Sequence, residues 1–240
     1  AGNAVFAEAA QANINVGNKS YVLLRPQSGK SWVLILANPQ DKFYVGSMSY
    51  DFSVDNFNDL FTNKTLTNVT ALLSAMPMTA GVVVNAPPFV NKMLPMSYLY
   101  EATEGINVNT KIGTSTVPLE LTRAVAKIVV KSTVADFTLS GIHSVYNMNK
   151  NTVLHNLSGN LETAASMVDY IRNDANEDFV SATANVTDPI YVYEAKSGTG
   201  AYMIIRAFYK GLESYYKIAI ADDELKYIDI KRNHEYRFTI

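Results

Sequence analysis

Alternation of apolar and polar residues dominates the chain and predicts β-strands along most of its length. At the C-terminal end Tyr236, Phe238 and Ile240 alternate with polar residues, the period-2 pattern of a strand buried on one face. The run SWVLILAN at 31–38 is continuously apolar instead, which predicts a strand buried on both faces. Further strands are predicted at 94–100, 136–147, 189–196, 201–210 and 213–221, with turns at 198–200 and 210–212.

Two stretches change to a helical period. Between residues 53 and 76 the apolar residues recur at three- and four-residue spacing, with Ser53 or Asp55 available as an N-cap. Pro77 ends this pattern, because proline cannot continue a helix. We expect one or two short helices here, and a further helix at 161–172 in a long crossover between strands.

The segment 119–132 is the most informative stretch of the second half. Alternate residues from Thr122 to Val130 carry no charge, which predicts a long strand with one buried face. A helix is the alternative, because it would align three basic residues at i, i+4 and i+8. These residues are Arg123, Lys127 and Lys131.

The order of these elements predicts a mainly β protein made of two β-sandwiches. Strands of the second half follow one another at roughly ten-residue spacing, which is typical of a sandwich. The first half contains the clearest helical pattern as an insertion among strands. We therefore place a domain boundary near 115–118, just before Pro118, and expect an N-terminal domain at 1–117 and a C-terminal domain at 118–240.

Composition narrows the classes of function. The 240 residues are 48% hydrophobic and 18% charged, as expected of globular rather than disordered material. A net charge of −2 argues against nucleic acid as a main partner. No run approaches the ~20 apolar residues that a bilayer span requires. The absence of cysteine excludes disulfides, thiolate metal sites and a cysteine nucleophile.

The search for catalytic or ligand-binding motifs predicts no catalytic residue, no cofactor site and no metal site, so we expect that the chain is not an enzyme. The three histidines lie far apart, without metal-ligand spacing: His143, His155 and His234. The segment 27–31, QSGKS, imitates the end of a phosphate-binding loop, but a strand follows it where a helix is required. The cluster 222–224, DDE, could hold Ca²⁺, yet it is better explained as a solvated turn. Arg123, Lys127 and Lys131 could meet an acidic partner, and a solvated strand face is the simpler interpretation.

Several segments in a fixed order resemble the fimbrillins of Bacteroidales, the subunits of type V pili. They are WVLILAN at 32–38, two helical segments, LPMS at 94–97, LTRAVAKI at 121–128 and RNHEYRF at 232–238. Each motif alone is weak, and the order and spacing from about residue 30 to 240 carry the resemblance. It implies two tandem transthyretin-like sandwiches with inserted helices.

The resemblance also implies a biology that composition does not. It implies export as a lipoprotein, location on the outer membrane and cell surface, and removal of an N-terminal strand by an arginine-specific protease. Other pilin subunits would be the partners, joined by donor-strand exchange, with host or bacterial surface ligands as further partners. Stalk subunits of the family continue beyond the RNH strand, so we expect the donor strand to lie outside this chain or to be absent, as would suit a tip subunit.

Two classes of function follow from these observations. The first is a structural subunit of a fimbrium, which binds other subunits by adding a strand to an open sheet. The second is an adhesive tip or carbohydrate-binding module, in which Trp32 and exposed tyrosines would stack on a ligand. Self-assembly with sibling subunits would favour the first class, and saturable glycan binding by the monomer would favour the second.

Overall fold

The protein is mainly β in the computed structural model, as the alternating pattern predicts. The structure describes residues 3–12, 14–16, 19–38, 40–75, 77, 89, 93–161, 167–171 and 177–240. These residues form two compact units. Unit 1 comprises the described residues of Ala1–Met76, Pro95–Thr122 and Val153–Gly159, and unit 2 those of Pro77–Leu94, Arg123–Thr152 and Asn160–Ile240. The predicted tandem domains at 1–117 and 118–240 stay a prediction.

Unit 1 combines short antiparallel strand pairs with two helices. The elements are β1 (Ile14–Val16), β2 (Lys19–Tyr21), β3 (Ser31–Ala37), β4 (Lys42–Val45), β5 (Met48–Asp51), α1 (Val54–Phe61), α2 (Leu66–Leu72) and β6 (Met96–Ala102). The pairs are β1 with β2, β3 with β6 and β4 with β5. A two-residue strand, β7 (Thr122–Arg123), is the third strand in the order β3-β6-β7, and its first residue is the last of unit 1.

The two helices confirm the prediction for residues 53–76, and local chemistry explains where they begin. The Ser53 hydroxyl accepts a hydrogen bond from the Asn56 N–H at 3.1 Å and so caps α1. Thr65 caps α2 in the same way. The apolar face of α1 buries Phe61, whose ring contacts the fully buried ring of Phe43 on β4. This aromatic cluster anchors the helices to unit 1.

Unit 2 is a β-sandwich whose two sheets are joined by one hairpin. Its strands are β8 (Val125–Lys131), β9 (Phe137–Asn149), β10 (Met167–Ile171), β11 (Val180–Thr183), β12 (Val186–Thr187), β13 (Ile190–Tyr193), β14 (Tyr202–Tyr209), β15 (Leu212–Ala219) and β16 (Glu235–Thr239). One sheet places β12 and β13 on one side of β8 and β16 on the other. The second sheet has β10 and β11 beside β9, followed by β14 and β15. The β11–β12 hairpin links the two sheets along one side.

The core of unit 2 lies between these sheets. The charge-free face predicted for 119–132 is the buried face of β8, where Ala126, Ile128 and Val130 are fully buried. Ile142 on β9 and Ile205 on β14 are fully buried on the other sheet. The strand interpretation of this segment is therefore confirmed over the range of β8.

Two predictions about individual segments need correction. The stretch 31–38 does form a strand, β3, but every residue of β3 is half-buried rather than buried on both faces. The helix predicted at 161–172 is wrong for 167–171, which form β10 and pair with β9. The rest of that prediction falls on 162–166 and 172, outside the described residues, and on residue 161, which is not helical. No described helix is long and apolar enough to cross a membrane.

Candidate strand-addition site

The strand β3 is an apolar strand at the edge of its sheet. Among the described residues only β6 pairs with it, in an antiparallel register from Ser31 opposite Ala102 to Ala37 opposite Met96. The similarly apolar β8 has strands on both sides, and five of its seven residues are buried. The different burial of β3 and β8 therefore follows from their places in a sheet and not from their composition.

An edge strand of this kind carries backbone groups as well as apolar surface. In an antiparallel pair every second residue bonds to a given neighbour, so half of the N–H and C=O groups of β3 point away from β6. Side chains project on both faces, and Val33, Leu34, Ile35 and Leu36 are all half-buried. Edges of soluble proteins are usually blunted by charge, proline or bulges. The central residues 32–37 of β3 contain none of these.

A second edge lies at β16, the strand that contains the last four residues of the motif RNHEYRF. The Lys127 N–H donates to His234 O at 2.9 Å, and the Ile240 N–H donates to Lys131 O at 3.0 Å. These bonds show that the backbone N–H and C=O groups of the even-numbered residues of this segment point towards β8. The residues with backbone groups directed away from β8 are then Glu235, Arg237 and Thr239. Within the described part of the chain β16 pairs with β8 alone.

A cleft of about 510 Å³ lies against the side of β16. One wall is β16 from Tyr236 to Thr239, and the other is the turn at 221–228. Tyr236 and Phe238 share a face with the fully buried Ile128 and Val130, yet they are only half-buried. Both side chains line this cleft.

A buried ion pair holds the start of β16 in place. The Arg232 guanidinium donates two hydrogen bonds to Glu194, at 2.8 Å from Nε and 2.6 Å from Nη2. The exposed fractions of these side chains are 12% and 3%. Thr152 joins the pair, since its hydroxyl accepts from Arg232 Nη2 at 3.0 Å and donates to Glu194 at 3.2 Å. The arginine of the motif thus ties the start of β16 to the end of β13.

The residues after Arg232 complete the anchor. Asn233 has a left-handed backbone, φ 60°, and its side chain accepts a hydrogen bond from Arg123 Nη1 at 3.1 Å. The Tyr236 hydroxyl accepts from the Lys231 N–H at 2.8 Å and donates to Asp229 O at 2.7 Å. Burial raises the pKa of Tyr236, which further favours the protonated hydroxyl that donates this bond. Arg232, Asn233 and Tyr236 thus fix the turn that leads into β16.

The three histidines are separate in the structure, as their spacing in the sequence indicates. His155 Nδ1 lies 3.0 Å from the Ser97 hydroxyl, and His234 Nδ1 lies 2.9 Å from Arg232 O. His143 packs against Tyr215, with Nδ1 at 3.9 Å from Asp178. Within the part of the chain that the structure describes, no three histidine or carboxylate side chains gather as metal ligands.

The acidic and basic candidates have local roles. The Asp222 carboxylate accepts from the backbone N–H groups of Glu224 and Lys226, at 3.0 and 2.9 Å, and so closes the turn at 222–226. Lys127 forms an ion pair with Glu235 at 3.3 Å across β8 and β16. Lys131 lies on the same outer face. A strand follows the QSGKS segment, as expected, because β3 begins at Ser31.

Two of the aromatic side chains proposed for ligand stacking, Trp32 and Tyr209, have a lysine over the ring. Lys30 lies 5.1 Å from the ring centroid of Trp32 and also bonds to Glu101 at 2.7 Å. That hydrogen bond lowers the pKa of the Glu101 carboxyl. Lys210 covers Tyr209 in the same manner at 5.3 Å. Each lysine occupies one face of its ring, and a sugar could not stack on that face without displacing it.

Sequence reasoning missed the buried charges. Besides Glu194, the carboxylate of Asp178 accepts two hydrogen bonds from Arg206, at 3.0 and 2.9 Å, and one from Ser140 at 2.9 Å. The bonds to Asp178 raise the pKa of Arg206. The available signal was a charged residue inside an apolar run, as in YVYEA at 191–195 and MIIRAF at 203–208. Such a residue needs a buried partner, although the sequence does not identify it.

Comparisons with known proteins were made on the sequence and on the structure. No protein-family model matches the chain, and no curated protein matches its sequence. The structure is similar to the tip fimbrial protein Mfa3 of Porphyromonas gingivalis in a C-terminally truncated form, with a TM-score of 0.50 and 17% identity, covering 94% of this chain and 81% of that one. It is also similar to a candidate cell adhesion protein of Bacteroides eggerthii, with a TM-score of 0.53 and 15% identity, covering 92% and 71%. The chain thus has a fimbrillin-type fold of the Bacteroidales.

Proposed function

We propose that the chain is a structural subunit of a bacterial surface fimbrium and that it assembles by donor-strand exchange. In this process a strand from another pilin subunit adds to an open sheet edge and completes it. The observation that carries the proposal is β3, which is apolar from residue 32 to residue 37, half-buried throughout and paired only with β6 among the described residues. The fimbrillin-type fold supports the same function.

The chemistry of β3 fits a β-strand as its ligand. A donor strand would satisfy the backbone groups that point away from β6, and its alternate side chains would cover apolar side chains such as Leu34. Burying one Leu or Ile side chain contributes ~1.5–3 kcal/mol, so three donor residues would contribute about 5–9 kcal/mol before the entropy of ordering is subtracted. Assembly of this kind requires no catalytic residue, cofactor or metal.

The proposal includes the organisation and location expected from the fimbrillin resemblance. The chain would comprise tandem sandwiches at 1–117 and 118–240, with β3 in the first and β16 in the second. Its partners would be other pilin subunits at the outer membrane surface. Export as a lipoprotein precursor is part of the same proposal.

Hydrogen exchange tests the role of β3 directly. Exchange is measured on the isolated chain and on fibres sheared from cells that produce the full precursor. Amides of β3 that point away from β6 should exchange rapidly in the isolated chain and become protected in the fibre. The amides of β8 are the internal control, because they are paired on both sides in either state. Rapid exchange of β3 in the fibre, or absence of the chain from fibres, would refute the proposal.

A charged substitution at β3 provides a second test. Leu34→Lys should abolish fibre incorporation, because a lysine ammonium would be buried under the donor strand without a partner. Val108→Lys is the matched control, since Val108 is 94% exposed in unit 1 and lies outside the strands. The melting temperature of each isolated variant shows whether it folds. A folded Leu34→Lys variant that enters fibres as well as the control does would contradict the proposal.

A further inference from the structure

The strand β15 forms another edge, in unit 2, with a different character from β3. It pairs with β14 through a two-residue turn in which Lys210 and Gly211 both have positive φ, 49° and 82°. Such a turn matches the twist of a hairpin and fixes its register. Among the described residues β15 is the last strand of its sheet. No described strand pairs with its outer side, where another strand could add.

The register of the hairpin determines which backbone groups of β15 face outward. The Ile220 N–H donates to Ala201 O at 3.0 Å, and Tyr209 pairs with Leu212 at the turn. The even-numbered residues of β15 therefore bond to β14. The odd-numbered residues direct N–H and C=O outward, and these are Glu213, Tyr215, Lys217 and Ala219.

The side chains of three of these residues form a symmetric set on the outer face of the sheet. Tyr215 is the centre, with Glu213 two residues before it and Lys217 two residues after it. Their contacts confirm the shared face: the Tyr215 hydroxyl lies 3.4 Å from Glu213, and Lys217 lies over the ring of Tyr202. When a second copy of the strand runs antiparallel and is centred on Tyr215, the carboxylate of Glu213 in one copy meets the ammonium of Lys217 in the other. The edge is thus complementary to itself.

We propose that β15 pairs antiparallel with β15 of a second copy of this chain, with the two-fold axis at Tyr215. In this register Tyr215 lies opposite Tyr215 of the partner subunit, and Glu213 lies opposite Lys217 of the partner subunit. The residues with outward backbone groups then face each other as hydrogen-bonded pairs, as an antiparallel ladder requires. Opposite charges and aromatic residues are favourable cross-strand pairs. The pairing joins two chains side by side through a continuous sheet.

Charges on an edge strand usually prevent pairing, because like charges meet when two copies approach. Here opposite charges meet in the two-fold register, whereas a shift by two residues places Tyr215 opposite a charge. The charges therefore favour both a second copy of this chain as the partner and one register of the two strands. One strand pair buries little surface, so the association is expected to be weak and dependent on concentration.

Disulfide trapping tests this register, and the chain offers a clean background because it contains no cysteine. In the proposed pair the two Tyr215 Cα atoms lie ~5.5 Å apart, within the range that a disulfide can bridge. Tyr215→Cys should form disulfide dimers under mild oxidation at least about fivefold faster than Leu212→Cys. Leu212 is a strict control, since it is 73% exposed against 49% for Tyr215. Two cysteines at 212 would be ~20 Å apart in this register.

Charge substitution in the Tyr215→Cys background tests the specificity. Lys217→Glu places two carboxylates opposite each other twice, and it should slow disulfide formation by about tenfold. Adding Glu213→Lys restores both opposite-charge pairs and should restore the rate. Equal rates for Tyr215→Cys and Leu212→Cys, or a double charge variant as slow as the single one, would overturn the proposal.

This inference does not depend on donor-strand exchange. The edge of β15 is separate from β3, so the disulfide assay uses the isolated, folded chain and needs no other subunit. A chain that fails to enter fibres but traps at Tyr215 would refute the proposed function alone. A chain that enters fibres without trapping would refute the β15 pairing alone.

Discussion

The buried pair of Arg232 and Glu194 permits the sharpest test of how β16 is held. Replacing Arg232 with methionine keeps a long side chain but removes the guanidinium that pairs with the Glu194 carboxylate, which is 3% exposed. Removing one partner of a buried ion pair typically costs ~3–5 kcal/mol, because the remaining charge is neither solvated nor paired. We expect Arg232→Met to lower the free energy of opening of unit 2 by about this amount.

The assay must report on unit 2. The single tryptophan, Trp32, lies in unit 1, so its fluorescence reports the other unit. Hydrogen exchange of peptides from β8 and β16 measures the free energy of opening where the pair acts. Lys226→Met is the matched control, because Lys226 pairs with Glu224 where both side chains are more than two-thirds exposed, at 74% and 72%. An exposed pair contributes ~0–1 kcal/mol.

A double variant separates a lost ion pair from lost packing. Glu194→Met combined with Arg232→Met removes both charges, and it should be more stable than Arg232→Met alone by ~2 kcal/mol or more. If Arg232→Met costs less than about 1 kcal/mol, or if the double variant is less stable than the single one, the pair does not anchor β16 in the way proposed.

Three further substitutions probe particular contacts. Tyr170→Phe should stabilise unit 2 by ~1 kcal/mol in denaturant titrations, because the buried hydroxyl has no hydrogen-bond partner among the residues that the structure describes. Burial raises the pKa of Tyr170 well above 10.0, so the parent should lose up to ~1.4 kcal/mol of stability per pH unit above about pH 10, and the phenylalanine variant should lose less. Gly141→Ala should cost more than about 2 kcal/mol, since its Cβ would lie 2.2 Å from Val180 O, whereas Gly198→Ala, in open space, should be near neutral by thermal melting. Tyr236→Phe should cost ~1–3 kcal/mol and speed the exchange of β16, because two backbone groups lose their hydrogen bonds.

Local sequence patterns were sufficient to predict those helices and strands whose structure does not depend on contacts with distant segments. The helices at 54–61 and 66–72 follow from period and caps, and Ser53 is one of the two N-caps that the sequence offers, beside Asp55. The strand β8 follows from its charge-free alternate residues, which are buried because sheets pack on that face. In each case the signal lies within about ten residues of chain.

Predictions failed where a distant segment decides the outcome. Continuous hydrophobicity at 31–37 indicated burial on both faces, yet β3 has one described neighbour and remains half-buried. The segment 167–171 was expected to be helical, but its backbone pairs with β9, some twenty residues earlier in the chain. Periodicity reports what a segment can bury, and strand order determines what it does bury.

The candidate site shows the same division between local and distant information. The alternation of Tyr236, Phe238 and Ile240 predicted the strand that contains RNHEYRF, but the reason for the arginine of this motif is Glu194, directly after β13. A single sequence offers only the hint that a carboxylate inside YVYEA needs a buried partner. The self-complementary set on β15 is readable from sequence, because Glu213 and Lys217 flank Tyr215 symmetrically, but its exposure at an edge requires the fold.

The anchors around β16 bear on how an added strand would bind there. The chain crosses from β15 in one sheet to β16 in the other, and polar contacts fix the end of this crossing at Arg232 and Tyr236. A strand fixed at its start presents the outward backbone groups of Arg237 and Thr239 in a constant geometry. When a strand adds to β16, the entropy lost is then only that of ordering the added strand. The smaller entropy loss raises the affinity for the added strand without any new contact. We therefore infer that Tyr236→Phe would weaken strand addition at β16 even though its hydroxyl contacts no added strand, and fibre incorporation measured beside Tyr170→Phe would show this difference.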